Sequence, residues 1–306
     1  MKNYGPILKA IFFSLSVTAL VSCEDVIHPT LQSAVPVLVV DAWINNRNET
    51  QIITLSLSQP YFEGTLPPPA TGAAVSVIDN QGKVFAFAES SSSPGTYQWT
   101  PTAFDVLTDG AAYKLTIDFA NETFESDSYM GRVPKIDSIS FDTDAQLGSG
   151  DEVTRAEFWA TDPQGVGDAY WIRTYKNGVQ LQKPSEVNIA FDAGLSIGGQ
   201  TDGVTFIAPV RRRINSNDED VNGKRLSPIV SGDSIQVQLH SITVAAFTYL
   251  NEVSIQTDRP GGFAELFSTP LANVSTNINN TNPAGSKAVG FFNVSAVSSA
   301  GKRYKP

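Results

Sequence analysis

Short runs of β-branched and aromatic residues recur along most of the chain, each broken by Gly, Pro, Asn or Asp. That punctuation specifies strands rather than helices. In Pro36 to Ile44, Val37, Val39, Asp41 and Trp43 alternate with Leu38, Val40, Ala42 and Ile44; both faces are largely apolar, as in a strand covered on two sides. Ile52 to Ser58 reads as its partner, with Ile53, Leu55 and Leu57 on one face. Tyr61 to Ala70 contains Pro67, Pro68 and Pro69 and reads as a stiff extended loop, because proline cannot donate to a ladder. Ala73 to Ile78 and Lys83 to Ala88 flank the turn Asp79-Asn80-Gln81-Gly82 and predict a hairpin. Thr96 to Trp99, Ala112 to Phe119 and Thr123 to Met130 follow. Seven strands in roughly 100 residues fit an immunoglobulin-like or prealbumin-like β-sandwich over residues 36–134.

Val133-Pro134-Lys135 reads as a linker, and residues 135–306 as a second β-rich domain with one helix. Its strands are Ile136 to Ile139, Ala156 to Ala160, Tyr170 to Tyr175, Val179 to Gln182, Ser234 to Ile242 and Ala288 to Ala296. Asn177-Gly178 favours positive φ at both central turn positions and marks a hairpin. In Ser234 to Ile242, Ile235, Val237 and Leu239 alternate with Gln236, Gln238 and His240, giving one buried and one wet face. The helix spans residues 244–256, where Ala245, Tyr249, Leu250 and Val253 recur at helical spacing; Arg259-Pro260-Gly261-Gly262 stops it.

Composition narrows the function classes. The 306 residues include 21 Lys+Arg and 31 Asp+Glu, for a net charge of −10, with 2 His and 1 Cys. An acidic chain whose basic run is Arg211-Arg212-Arg213 is a poor ligand for nucleic acid. Two histidines and one cysteine supply little for zinc sites or nucleophile–base pairs. No catalytic residue and no cofactor is expected beyond a covalent lipid.

The N-terminus predicts that lipid. Lys2 and Lys9 bracket a basic segment, and Ile11 to Val21 is apolar but shorter than the roughly 20 residues of a membrane-spanning helix. Residues 1–22 therefore read as a signal peptide, and its last residues with the one that follows, Leu20-Val21-Ser22-Cys23, resemble a bacterial lipobox. Cys23 is the expected site of acylation, palmitate included, and residues 23–35 the lipidated tether. Glu24 and Asp25 are similar to the acidic signal that exports lipoproteins to the cell surface.

These features together resemble the DUF4249 family of uncharacterised Bacteroidota outer-membrane lipoproteins. Besides the lipobox, they are Val37-Leu38-Val39-Val40-Asp41-Ala42-Trp43-Ile44, Pro60-Tyr61-Phe62 with its proline run, Asp162-Pro163 through Asn177-Gly178, Gly232-Asp233-Ser234-Ile235, the Tyr249-Leu250 helix and Gly290-Phe291-Phe292 to Val297-Ser298. The resemblance implies a lipid-anchored, surface-exposed outer-membrane protein, an accessory or ligand-binding partner of a TonB-dependent β-barrel receptor in nutrient uptake. The alternative is an adhesin or structural module that binds extracellular polysaccharide or matrix.

Five candidate sites accompany this expectation. Trp171 and Tyr175, with Trp159 and Tyr170, suit either core packing or a binding platform for sugar or protein. Tyr61 and Phe62, beside the proline run, form a second candidate surface. Asp218, Asp220 and Asn222 mimic the start of a calcium loop, but the twelfth position is Ile229 rather than a bidentate carboxylate; Asp162 and Asp168 bracket another loop with calcium-type donors. Gly194-Leu195-Ser196-Ile197-Gly198 matches the nucleophile elbow of serine hydrolases, with His240 as the possible base. That motif needs a strand before it and a helix after it.

Overall fold

The computed structural model describes residues 35–60, 63–102, 107–145, 152–216 and 226–306. Residues 1–22, read above as a signal peptide, and Cys23, Glu24, Asp25, Tyr61, Phe62, Asp218, Asp220 and Asn222 lie outside the described residues. The protein is mainly β, as its punctuated strand pattern predicts.

The first seven strands are β1 (Leu38–Asn45), β2 (Gln51–Leu57), β3 (Ala74–Asp79), β4 (Val84–Glu89), β5 (Thr96–Trp99), β6 (Ala112–Phe119) and β7 (Glu122–Tyr129). They coincide with the seven predicted runs, β5 and β6 with the same bounds and the other five shifted at the ends by a residue or two. β8 (Ile136–Ala145) and β9 (Glu152–Ala160) form a hairpin. β10 (Ala169–Lys176), β11 (Val179–Gln180), β12 (Asn188–Phe191) and β13 (Ser234–Ile242) precede the C-terminal strands β14 (Asn279–Asn280), β15 (Ala288–Ser295) and β16 (Val297–Arg303).

One sheet runs in the order β14-β7-β6-β3-β4-β5-β2-β1-β15. β4 turns its corner: Val84 to Phe87 pair with β3, while Ala88 and Glu89 pair with β5. The path curls until its ends meet, where the Val294 N–H on β15 donates to Ser128 Oγ on β7 at 3.0 Å. Inside lie Val40, Ala42, Ile53, Leu55, Val77, Tyr97, Leu115, Ile117, Phe124, Phe292 and Val294. Tyr97 is fully buried, and its hydroxyl donates to the Ala70 carbonyl at 2.9 Å, meeting the demand that a buried polar group be paired.

The second sheet runs β11-β10-β13-β16, with β12 beside β10. Its core gathers Ile136, Phe158, Tyr170, Ile172, Phe206, Val210 and Leu239. The Asn177-Gly178 hairpin forms as expected, with φ of 51° and 82°. A short helix, α1 (Ala208–Arg212), has Pro209 in its first turn, where the missing N–H costs nothing. The longer helix α2 (Val244–Thr257) is capped by Thr243, whose Oγ1 accepts from the Ala246 N–H at 3.1 Å. Its buried residues are Ala246, Phe247 and Leu250, with Tyr249 and Val253 half-buried; Ala245, expected on the inner face, is exposed.

Residues 36–306 form one compact unit. Near Pro134 the chain passes from the first core to the second, but the later residues do not all stay there. β15 lies parallel to β1, with Leu38 opposite Ala288 and Asn45 opposite Ser295. One residue later the chain crosses over: Ala296 exchanges hydrogen bonds with Ser241, and β16 joins the second sheet beside β13. The two sheets are therefore interleaved in sequence rather than divided at residue 134.

Candidate functional site

The outer face of β1 meets the second sheet and α2. Because side chains alternate along a strand, placing Val40, Ala42 and Ile44 in the first core turns Trp43 to the opposite side. There its ring lies edge-on to Trp171 of β10 at 4.9 Å between centroids and stacks on Phe291 of β15 at 5.7 Å and 17°. Tyr249 of α2 closes the group, 4.7 Å from Phe291 and 6.2 Å from Trp43. Ala169, Ile189, Phe191, Ile242, Phe247 and Leu250 complete this third apolar cluster. Both apolar faces of β1 are thus explained: one belongs to the sheet core, the other to the junction.

Trp171 is half-buried by this packing and carries the Arg173 guanidinium over its ring at 3.8 Å. Its other neighbour is His240, with ring centroids 6.4 Å apart. The Tyr175 hydroxyl donates to Gln238 Oε1 at 3.4 Å, and His240 Nε2 lies 3.1 Å from the same oxygen. The pattern placed His240 on a wet face; instead it is 4% exposed, because Trp171 covers that end of β13. Burial, reinforced by the charges of Arg173 and Arg47, pushes its pKa well below the usual histidine value of 6.5. The folded state then holds neutral imidazole while the unfolded chain gains a proton near pH 6.5. The contribution of His240 to stability is full above that pH and is lost as pH falls toward its folded pKa. The melting temperature is expected to drop more between pH 7 and pH 5 in the natural protein than in His240→Gln; parallel pH profiles would refute this.

Ser196 does not meet His240 in a catalytic arrangement. Gly194 to Gly199 is a series of turns, Ser196 is exposed, and the next helix does not begin until Ala208, so the strand–turn–helix setting of a nucleophile elbow is missing. His240, for its part, contacts Gln238 and Trp171 rather than a carboxylate.

The loop between β9 and β10 has a different organisation from the one its spacing suggests. Asp162 is joined by Asp192 and Asp202, with one carboxylate oxygen from each lying within 4.8 Å of the others. Asp168 is drawn away into a salt bridge with Arg132 at 2.8 Å. The carboxylates order the loop: Asp162 accepts from the Tyr170 hydroxyl at 2.6 Å and from the Gly203 N–H, Asp192 from the N–H groups of Gly167 and Asp168, and Asp202 from that of Gly165. Burial and its acidic neighbours raise the pKa of Asp162. The same three oxygens have the hard-donor character that would hold a divalent cation. Asp192 and Asp202 were not singled out by spacing; the positive φ of Asp192, 48°, in the turn before Gly194 is the local feature that aims it inward.

An open groove of about 640 Å³ lies at the far end of the second sheet, lined by Phe141, Thr143, Lys302, Arg303, Tyr304, Lys305 and Pro306. No helix among the described residues is long and apolar enough to cross a membrane.

The family model described as "Domain of unknown function (DUF4249)" matches residues 24–300, nearly the whole chain after Cys23. The chain belongs to the DUF4249 family. No curated protein matches it. Among solved structures, bovine butyrophilin is similar at 10% identity and a TM-score of 0.18, over 66% of this chain and 90% of the other. The DUF4249 match spans both sheets and the junction, so Trp43, Trp171, Tyr249 and Phe291 all fall within the family's domain.

Proposed function

We propose that this DUF4249 protein is a non-enzymatic, surface-exposed lipoprotein of the outer membrane that assists a TonB-dependent receptor in capturing or admitting a nutrient. The observation that carries the reading is the lipobox Leu20-Val21-Ser22-Cys23, in which the one cysteine of 306 residues occupies the position that lipidation uses. Two or more acyl chains at Cys23 anchor the chain stably, where a single chain would bind only marginally. The fused sheets support a binding role: the aromatic junction fixes their mutual position and suits a platform that presents surfaces to a partner. The separation of exposed Ser196 from buried His240 argues against the hydrolase alternative.

Cys23→Ala is expected to shift the protein from the membrane fraction to the soluble periplasmic fraction while leaving its melting temperature unchanged. Mild-detergent pull-down of the natural protein should recover a β-barrel receptor. Recovery of the protein alone, with binding to a polysaccharide array, would favour the adhesin reading instead.

A further inference from the structure

We propose that the end of the molecule at which β1 begins rests on the lipid bilayer, with Phe263, Leu266, Phe267 and Leu271 inserted among the lipids. The proposal rests on the lipid-anchor reading for what holds the protein at the membrane. The orientation and the inserting residues come from the fold.

The turn that follows α2, Gly262–Phe267, buries none of its residues. Phe263 is 78% exposed, Leu266 75%, Phe267 80% and Leu271 61%, and the rings of Phe263 and Phe267 pack edge-on to each other at 5.7 Å. Single exposed apolar residues are ordinary, but a contiguous group of this kind marks an interaction surface. From Arg259 to Ser286 the chain carries only two charged side chains, Arg259 and Glu265, and they form an ion pair with each other. In a chain of net charge −10 this segment is locally neutral. Its chemistry fits the apolar boundary of a bilayer rather than a charged partner.

Topology places the turn beside the entry of the tether. α2 starts next to Asn293, whose Oδ1 accepts from the Thr243 N–H at 3.0 Å, and passes Phe291 at Tyr249. It therefore runs back along β15 toward Ala288, which lies opposite Leu38. From Tyr249 to Thr257 the helix advances about 12 Å; Phe291 to Ala288 spans about 10 Å of strand. The helix thus ends level with the start of β1, and the turn follows it before the chain returns at Ala272, whose N–H donates to Gln256 Oε1. β2 also finishes there, Leu57 opposite Leu38, and continues into the proline loop where Leu66 is 91% exposed. Twelve residues, Glu24 to Val35, separate Cys23 from Pro36. Twelve residues reach at most about 45 Å whatever their conformation. An acyl anchor at Cys23 would therefore keep the start of β1, and the apolar loops around it, close to the bilayer.

The lone cysteine makes the test direct. A polarity-sensitive fluorophore is placed on Ala264→Cys, inside the turn, and in a second sample on Asn48→Cys, in the β1–β2 loop at the opposite end. Both are made in two backgrounds. One is the acylated protein on phosphatidylcholine–phosphatidylethanolamine vesicles. The other is the chain from residue 23 with Cys23→Ser, held on the same vesicles by an N-terminal histidine tag and nickel-chelating lipid. The Ala264→Cys label is expected to shift to the blue and to be quenched several-fold more strongly by lipid-borne nitroxide than the Asn48→Cys label, in both backgrounds. Phe263→Ser/Leu266→Ser/Phe267→Ser should abolish the difference without changing the melting temperature. If the first background is not acylated while the second shows insertion, the anchor reading fails and the membrane face stands. If the Ala264→Cys label stays aqueous on anchored protein, or becomes shielded only when a β-barrel receptor is added, the bilayer proposal is overturned.

Discussion

Gly290→Ala is expected to destabilise the protein by roughly 4 kcal/mol or more, the range in which single substitutions become diagnostic of one specific conflict. Gly290 sits in β15 opposite Val40 with φ of 99°, a conformation that L side chains rarely adopt. A Cβ there would be driven into the Val40 carbonyl and the backbone on either side of it, atoms that cannot move without breaking the parallel ladder between β1 and β15. The backbone strain alone amounts to about 1–3 kcal/mol, and the collision adds to it. Gly301→Ala in β16 is the control: the nearest atoms to its added Cβ lie at ordinary contact distances of 3.6 Å and beyond. Chemical denaturation should show a collapse of the midpoint for Gly290→Ala and a change within about 1 kcal/mol for Gly301→Ala. Equal effects would mean that the close approach at Val40 is not what limits the fold.

Trp43→Ala is expected to cost about 2–4 kcal/mol, somewhat below the 3–5 kcal/mol typical of a fully buried tryptophan because the ring is half-buried. The loss should have a particular form. Trp43 belongs to β1 of the first sheet but touches β10 and α2 through Trp171 and Tyr249. Removing it leaves both sheet cores filled while emptying the contact that joins them. The variant should melt over a broader range, with near-UV and far-UV circular dichroism no longer coincident, because cooperativity between the cores weakens. A double-mutant cycle with Trp171→Ala should give a coupling of about 0.5–1.5 kcal/mol, the usual worth of an aromatic pair beyond area burial. Additive effects would show that the two rings stabilise the fold independently.

The strands were legible because alternation is a local property: β5, β6 and β13 have the bounds that their residue patterns predict. Short elements with few side chains to pattern, β12, β14 and α1, escaped. β16 escaped because Val297 to Arg303 reads Val-Ser-Ser-Ala-Gly-Lys-Arg, with little apolar alternation, and is specified instead by pairing with β13. Trp171 stood out as an aromatic in a cluster, but its partners Trp43, Tyr249 and Phe291 come from residues far apart in the chain. Their convergence follows from the return of β15 to β1, which no local pattern encodes. The two apolar faces of β1 were the visible trace of that return, since a strand covered on one side would have needed only one. For the same reason Asp162 was visible in its loop while Asp192 and Asp202 were not.

The parallel pairing of β1 with β15 also fixes when this protein can finish folding. Leu38 must wait for Ala288, 250 residues later, before the edge of the first sheet is covered. Contacts of such sequence separation slow folding, and during synthesis the β1 edge stays open to other chains until β15 has emerged. A chain cut before Ala288 would keep the interior strands of its first sheet yet expose an apolar edge from Leu38 to Asn45, so intolerance of C-terminal truncation is built into the order of its strands.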